Sequence, residues 1–190
     1  MPKLTQFREF LADSARQLHR PQALTGAAIL AALELVLNQY SIPLSPYLEV
    51  GFSFLASTAT GFLYGPWVAG MAGFVTDLAG YLLHPTGPYF FGFTLSAILS
   101  GILNGLLLYR CRVTLGRAVV LRIVKVLLFN FLLTPLWLSM MYGKAFVVLS
   151  GLRLAKNLIK FPVDLALEYG VLRLADRCIR QPAQHSARRW

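Results

Sequence analysis

The chain has 190 residues, of which 56% are hydrophobic and only 14% are charged, and its formal net charge is +10. A soluble domain of this length needs far more charged surface, and several apolar runs are long enough to cross a bilayer core, so the composition excludes a water-soluble protein. Most Lys and Arg residues flank the apolar runs, which indicates membrane topology rather than binding to nucleic acid. The sequence therefore predicts an integral membrane protein in contact with a lipid bilayer.

The pattern of residues 1–22 predicts an amphipathic segment on the cytoplasmic side of the membrane. Acids are interspersed with the basic residues there, which is not typical of a signal peptide. The apolar residues recur at helical spacing: Leu4, Phe7, Phe10, Leu11, Ala15 and Leu18. We expect a helix that lies on the inner membrane face.

Six apolar runs follow and predict six transmembrane helices in a single domain, residues 23–175. The predicted limits are Ala23–Tyr40, Val50–Tyr64, Trp67–Leu83, Phe93–Tyr109, Val119–Met141 and Leu152–Leu174. Between the first two spans, Ser41–Glu49 is predicted to be a loop because Pro43 and Pro46 exclude a helix.

The distribution of basic residues predicts the orientation of the bundle. Six spans place both termini on the same side of the membrane. Lys and Arg are concentrated in the N-terminal segment, in Arg110–Arg117 and in the tail, residues 176–190, so that side is predicted to be the cytoplasm. The predicted fold class is an all-α integral membrane protein with six transmembrane helices and both termini cytoplasmic.

Small residues in the first span form a repeat that suits close helix packing. Ala23, Ala27 and Ala31 recur every four residues, and Ala28 and Ala32 repeat the spacing one residue later. Small residues at this period let another helix approach closely within lipid. The spacing fits packing inside the chain's own bundle and docking to a separate membrane subunit equally well.

The stretch His84–Ala97 combines turn formers with aromatic residues. Pro85, Gly87 and Pro88 prevent a continuous helix there, and Tyr89, Phe90, Phe91 and Phe93 follow directly. Such rings often form a belt at the membrane interface. They also suit a lid over a flat, partly polar ligand.

Charged residues in the sixth span form a second candidate feature. At helical spacing, Arg153, Lys156, Asn157 and Lys160 fall within one narrow arc, and Asp164 and Glu168 extend it toward the cytoplasm. One interpretation is an internal ladder of salt bridges that includes Lys160 with Asp164. The other is a cationic, outward-facing site near a helix N-terminus, which suits a ligand with carboxylates.

Residues that would carry catalysis or bind a metal are not found together. His19, His84 and His185 lie in separate flanking segments, and Cys111 and Cys178 lie in basic segments without metal-ligand spacing. The sequence also lacks HExxH, GxSxG and Walker motifs. We therefore predict no enzyme activity, no metal site and no cofactor.

Several segments resemble the folate-specific substrate-binding subunits (S-components) of energy-coupling factor (ECF) vitamin transporters. The matching stretches are PTGPYFFGFTLSA at Pro85–Ala97, YGPWVAGMAGFVTDLAGYLL at Tyr64–Leu83, LRLAKNLIKFP at Leu152–Pro162 and the AxxxA repeat of the first span. Within that repeat, the register Ala27 and Ala31 is favoured because Ala23 extends it.

The resemblance implies a multi-pass protein of a bacterial cell membrane that captures folate outside and has no ATPase of its own. It implies docking, through Ala27 and Ala31, onto a transmembrane coupling subunit that carries two ATPase subunits, followed by release of folate inward. The substrate-binding residues that it implies are Tyr89, Phe90, Phe93, Trp137 and Tyr142 around the rings, Arg153 and Lys156 at the glutamate carboxylates, and Asn157 at a polar ring edge. The alternatives are an S-component for another vitamin and a membrane enzyme that is not a transporter.

Overall fold

The structure is a computed structural model that describes residues 2–39, 42–45, 48–85, 89–142 and 160–177. The described elements in chain order are α1 (Pro2–Gln17), α2 (Pro21–Gln39), β1 (Ile42–Ser45), β2 (Leu48–Val50), α3 (Ser53–Tyr64), α4 (Pro66–Leu83), α5 (Phe91–Leu108), α6 (Leu115–Lys125), a π-helical segment (Val126–Leu133), α7 (Thr134–Tyr142) and α8 (residues 160–177). The predicted helical membrane architecture is confirmed.

Three described helical stretches are long and apolar enough to cross a membrane: Pro21–Gln39, Phe91–Leu108 and Leu115–Trp137. Large apolar side chains project outward from the bundle, and Ile29 and Leu82 are 65% and 74% exposed. Such an apolar exterior is what lipid favours, because helices in a bilayer gain nothing by hiding hydrophobic side chains from hydrocarbon.

The segment predicted to be a loop between the first two spans contains a short antiparallel hairpin. Strand β1 pairs with β2 with Ile42 opposite Val50 and Pro43 opposite Glu49, and an irregularity follows Pro43. The prolines exclude a helix, as expected, but a two-stranded ladder tolerates Pro43 because each strand has a free edge. The all-α prediction therefore needs this one small addition.

Helices α4 and α5 cross closely because glycines line their contact. A Cβ atom added at Gly73 would lie 2.6 Å from the carbonyl oxygen of Ala97, and one added at Gly101 would collide with the carbonyl of Ala69. Backbone therefore meets backbone at this crossing, as is typical of helix pairs in membranes. The crossing positions α5, and the aromatic residues described below lie near the start of that helix.

The amphipathic segment α1 packs against the predicted cytoplasmic end of the bundle. Its Asp13 carboxylate accepts a hydrogen bond from the Tyr109 hydroxyl at 2.9 Å and forms an ion pair with Arg110 at 2.9 Å. Ser14 is fully buried beside Gly65, whose φ of +85° makes the tight turn between α3 and α4. The N-terminal helix is thus attached to two turns of the membrane domain.

The fifth predicted span is helical throughout the described Leu115–Tyr142, but its middle is not an α-helix. The π-helical segment Val126–Leu133 lies between α6 and α7, and Pro135 follows at the start of α7. Pro135 cannot donate a backbone hydrogen bond, which disturbs the ladder of the preceding turn. π-Helical turns within α-helices occur frequently at functional sites.

Candidate ligand-binding cavity

A cavity of about 380 Å³ lies among α2, α3, α5, the fifth span and α8. The residues that line it are Glu34, Gly51, Ser53, Phe54, Ser57, Ser96, Ala97, Ser100, Arg122, Lys125, Val126, Phe129, Asn130, Lys160 and Asp164. Charged groups, hydroxyls and two phenyl rings therefore line the same cavity, which is a typical composition for a site that orients a small molecule.

Four charged residues form a buried cluster at the wall of the cavity. Arg122 of α6 pairs with Asp164 of α8, and its Nη1 lies 3.8 Å from Oε2 of Glu168. Lys125 Nζ lies 3.3 Å from Oε1 of Glu168. All four residues are buried. Charges in a membrane interior are costly unless paired, so this cluster ties α6 to α8.

A hydroxyl group connects this ionic cluster to a third helix. Thr58 of α3, which is fully buried, donates to Oε1 of Glu168 at 3.0 Å and accepts from Lys125 Nζ at 3.1 Å. The Arg122 guanidinium also lies 4.8 Å from the ring centroid of Phe54. The arrangement holds the two cations at fixed positions beside the cavity.

Sequence reasoning missed the cations of the fifth span. Arg122 and Lys125 are three residues apart, so they share one face of a helix, and Asp164 and Glu168 share a face four residues apart. Two cations in one span and two acids in another are the signal that would have predicted the pairing. Asp164, considered above as a partner for Lys160, pairs with Arg122 across two helices.

Three of the predicted ring-binding residues form a cluster in which Phe90 contacts the other two. The Phe90 ring lies 6.1 Å from the Phe93 ring and 5.7 Å from the Trp137 ring, centroid to centroid. Trp137 Nε1 donates to Oγ of Ser96 at 2.9 Å. A Cβ atom at Gly92 would lie 2.7 Å from the Trp137 ring, so the glycine lets the indole approach the start of α5. Because Ser96 lines the cavity, this aromatic cluster adjoins it.

Tyr89 has a different environment from the other predicted aromatic residues. Its hydroxyl lies 2.5 Å from Oγ1 of Thr94, which donates to the Asp77 carboxylate at 2.6 Å. Its ring packs edge-on against Tyr81 with centroids 5.0 Å apart. The lone acid of the third span therefore joins α4 to the start of α5, and Tyr89 is oriented toward that contact.

The remaining predicted binding residues lie beyond what the structure describes. Arg153, Lys156 and Asn157 are outside the described residues, and Tyr142 ends α7 with a side chain that is also outside them. Their role in substrate binding stays a prediction.

The two alanine registers of α2 face different ways. Ala27 and Ala31 are 6% and 7% exposed because they pack within the bundle, whereas Ala28 and Ala32 are exposed. In the isolated subunit, the register favoured from the sequence is thus covered by the chain itself. The docking role stays a prediction, and the exposure favours the offset register for it.

Among the described residues, no group of three or more His, Cys, Asp and Glu side chains is placed to hold a metal ion. His19 and His84 are both exposed, and Cys111 is a free thiol.

Comparison with known proteins identifies the family. A family model described as "ECF transporter, substrate-specific component" matches residues 22–172. This chain belongs to that family. It is therefore a subunit of a transporter and not an enzyme, and it is a multi-pass protein of a bacterial membrane, as the resemblance implied.

Individual relatives agree with the family model. This S-component is 33% identical over 150 residues to the folate transporter FolT of Clostridium novyi (strain NT), covering 79% of this chain and 87% of that protein. It is 30% identical to FolT of Leuconostoc mesenteroides subsp. mesenteroides, covering 76% and 81%. Among solved structures, a crystal structure of FolT bound with folic acid matches with a TM-score of 0.72 and 32% identity, covering 80% of this chain and 92% of that one.

Proposed function

We propose that this S-component binds folate outside the cell and delivers it inward as part of an ECF transporter. The observation that carries the proposal is the cavity of about 380 Å³, which adjoins an aromatic cluster and contains buried charges. Its volume falls within the range of small-molecule sites. The FolT relatives and the folic-acid-bound FolT structure support folate as the ligand.

The parts of folate match the two kinds of predicted binding residue. Phe90, Phe93 and Trp137 cover the flat rings, and their mutual contacts support this role. Tyr89 and Tyr142 complete the aromatic surface at the outer side. This part of the proposal requires that the ring system enters the cavity beside Ser96, next to the indole.

Cationic residues are assigned to the other end of the ligand. Arg153 and Lys156 neutralise the glutamate carboxylates, and Asn157 hydrogen-bonds a polar ring edge. Their spacing at the predicted outer end of the sixth span supports the assignment. Folate itself acts as the cargo, and the proposal includes no cofactor.

The proposed topology has six spans with both termini in the cytoplasm. Support comes from six successive helical stretches after α1, namely α2, α3, α4, α5, the fifth span from α6 to α7, and α8. The basic residues that flank these stretches support the orientation. In this orientation the aromatic cluster faces outward.

Delivery of folate inward requires partners that supply energy. We assign this role to a transmembrane coupling subunit with two ABC-type ATPase subunits, because membership of the ECF family supports such a module. The alanine repeat of α2 is the proposed docking face, and the exposure of Ala28 and Ala32 supports that register.

The test is calorimetric titration of the detergent-purified protein with folic acid, with biotin and riboflavin as comparison ligands. We expect saturable one-to-one binding of folic acid and no heat from the other two vitamins. Binding of a different vitamin in place of folic acid, by a correctly folded sample, would overturn the assignment of folate and leave the family intact.

A further inference from the structure

Glu34 is an acid in the middle of an apolar helix, and it lines the cavity. It lies on α2 and lines the cavity together with serines of α3 and α5, and its Oε2 is buried without a hydrogen-bond partner among the described residues. A buried carboxylate oxygen without a partner costs free energy. Glu34 is therefore a candidate for a group whose partner arrives with the ligand.

The neighbouring charges are already engaged with one another. Asp164 is paired with Arg122, and Glu168 is held by Lys125 and Thr58. Lys125 lines the same cavity as Glu34, but no hydrogen bond joins them among those the structure describes. Oε2 of Glu34 therefore lacks a hydrogen-bond partner among the described residues, on a residue that lines the cavity.

The chemistry of a carboxylate defines what it binds best. Its two oxygens lie side by side and accept two parallel N–H bonds, which is the basis of bidentate pairing with guanidinium. The 2-amino-4-oxopterin ring of folic acid presents a similar edge, with the exocyclic amine and the adjacent ring N–H directed the same way. Phe54 and Phe129 supply apolar surface in the same cavity for the faces of such a ring.

We propose that Glu34 is the residue that selects the pterin ring, by accepting hydrogen bonds from its 2-amino group and adjacent ring N–H. This inference rests on the proposed binding of folate, and it adds which edge of the pterin ring the protein recognises. It places the pterin at the Glu34 side of the cavity, and the glutamate tail then extends toward the predicted cationic residues of the sixth span.

The experiment combines a variant with a ligand series, measured by calorimetry on the full-length protein. The variants are Glu34→Gln and, as a matched control, Glu9→Gln, since Glu9 is exposed on α1. The ligands are folic acid and 2-desamino-2-methylfolic acid, which lacks the exocyclic amine. Loss of a hydrogen bond to a charged group predicts that wild-type protein binds folic acid at least about tenfold more tightly than the analogue.

The proposal predicts that Glu34→Gln abolishes most of this preference, because it weakens binding of folic acid much more than binding of the analogue. The control variant keeps the wild-type preference. Equal affinity of wild-type protein for the two ligands overturns the role of Glu34 without any variant, and so does an equal loss for both ligands in Glu34→Gln. If wild-type protein binds no folic acid at all, the proposed function fails together with this inference.

Discussion

The indole Nε1 of Trp137 donates a hydrogen bond to Oγ of Ser96 over 2.9 Å. The bond joins the fifth span to α5 where the aromatic cluster adjoins the cavity. It orients the indole, so the ring presents a fixed surface on which Phe90 packs. A rigid aromatic wall reduces the entropy lost when a flat ligand binds.

Trp137→Phe tests this bond while keeping an aromatic ring. We expect weaker folic acid binding by about 1 kcal/mol, roughly fivefold in the dissociation constant, because one hydrogen bond and the orientation of the ring are lost. Calorimetry is the appropriate measurement, since the substitution removes a fluorophore. Trp67→Phe is the matched control, because Trp67 is 45% exposed at the start of α4. Equal affinities for both variants would show that the bond is unimportant for binding.

Glu168→Ala tests the ionic cluster as a structural element. Removal of this fully buried acid leaves Lys125 without its partner, and we expect a loss of about 3–5 kcal/mol in the free energy of unfolding. The measurement is denaturant unfolding in detergent, with exposed Glu9→Ala as the control. The double variant Lys125→Met/Glu168→Leu should recover most of the loss, because it removes both charges. A single variant as stable as the control would contradict the pairing.

Substitution of glycine by alanine is expected to change the free energy of unfolding in opposite directions at two positions. Gly73→Ala is expected to lower the free energy of unfolding by about 1–3 kcal/mol, because the new Cβ lies against the Ala97 carbonyl and forces α4 and α5 apart. Gly170→Ala in α8 meets nothing within 4 Å and is expected to stabilise by about 0.5–1 kcal/mol through helix propensity. Thermal unfolding of the two variants distinguishes these signs, and a stabilised Gly73→Ala would refute the close crossing.

Arg153→Ala tests the predicted site for the glutamate carboxylates. If Arg153 forms a charge-assisted hydrogen bond with folate, its removal is expected to weaken binding by about 1.5–3 kcal/mol. Arg112→Ala is the control, since Arg112 is exposed in the predicted cytoplasmic loop. Small, equal losses for the two variants would remove Arg153 from the site.

The proposed docking face on α2 is tested by substitutions away from the proposed ligand site. Ala28→Leu/Ala32→Leu adds bulk to the exposed side of α2, and we expect loss of co-purification with the coupling module while folic acid binding is retained. Ile29→Ala, an exposed change that removes bulk, is the control. Retained co-purification in the double variant would assign docking to another surface.

Helix positions were predictable because they depend on local signals. Gly65 and Pro66 mark the turn between α3 and α4, and the predicted third span, Trp67–Leu83, corresponds to α4 at Pro66–Leu83. Apolar runs and turn formers are read directly along the chain. The aromatic cluster was predictable in part, since two of its members lie in one short stretch.

Pairings between distant residues were not predictable in the same way. Arg122 and Asp164 are 42 residues apart, and Trp137 and Ser96 are 41 apart. Which of several cations faces which acid depends on the rotation of each helix in the bundle, and hydrophobicity does not specify that rotation when lipid surrounds the helices. For the same reason, the alanine spacing gave two registers that only burial distinguishes.

The π-helical segment Val126–Leu133 sets the rotation of the fifth span between Lys125 and Trp137. Lys125 and Trp137 are twelve residues apart, so an uninterrupted α-helix would direct them about 120° apart. A π-helix rotates by a smaller angle per residue than an α-helix, because its turns are wider. Lys125 lines the cavity, and Trp137 bonds to Ser96, which lines it too. Deleting a single residue here would turn one of these two side chains away from the cavity. A change in the length of this segment would therefore alter which side chains of the fifth span face the cavity, without replacing any of those side chains.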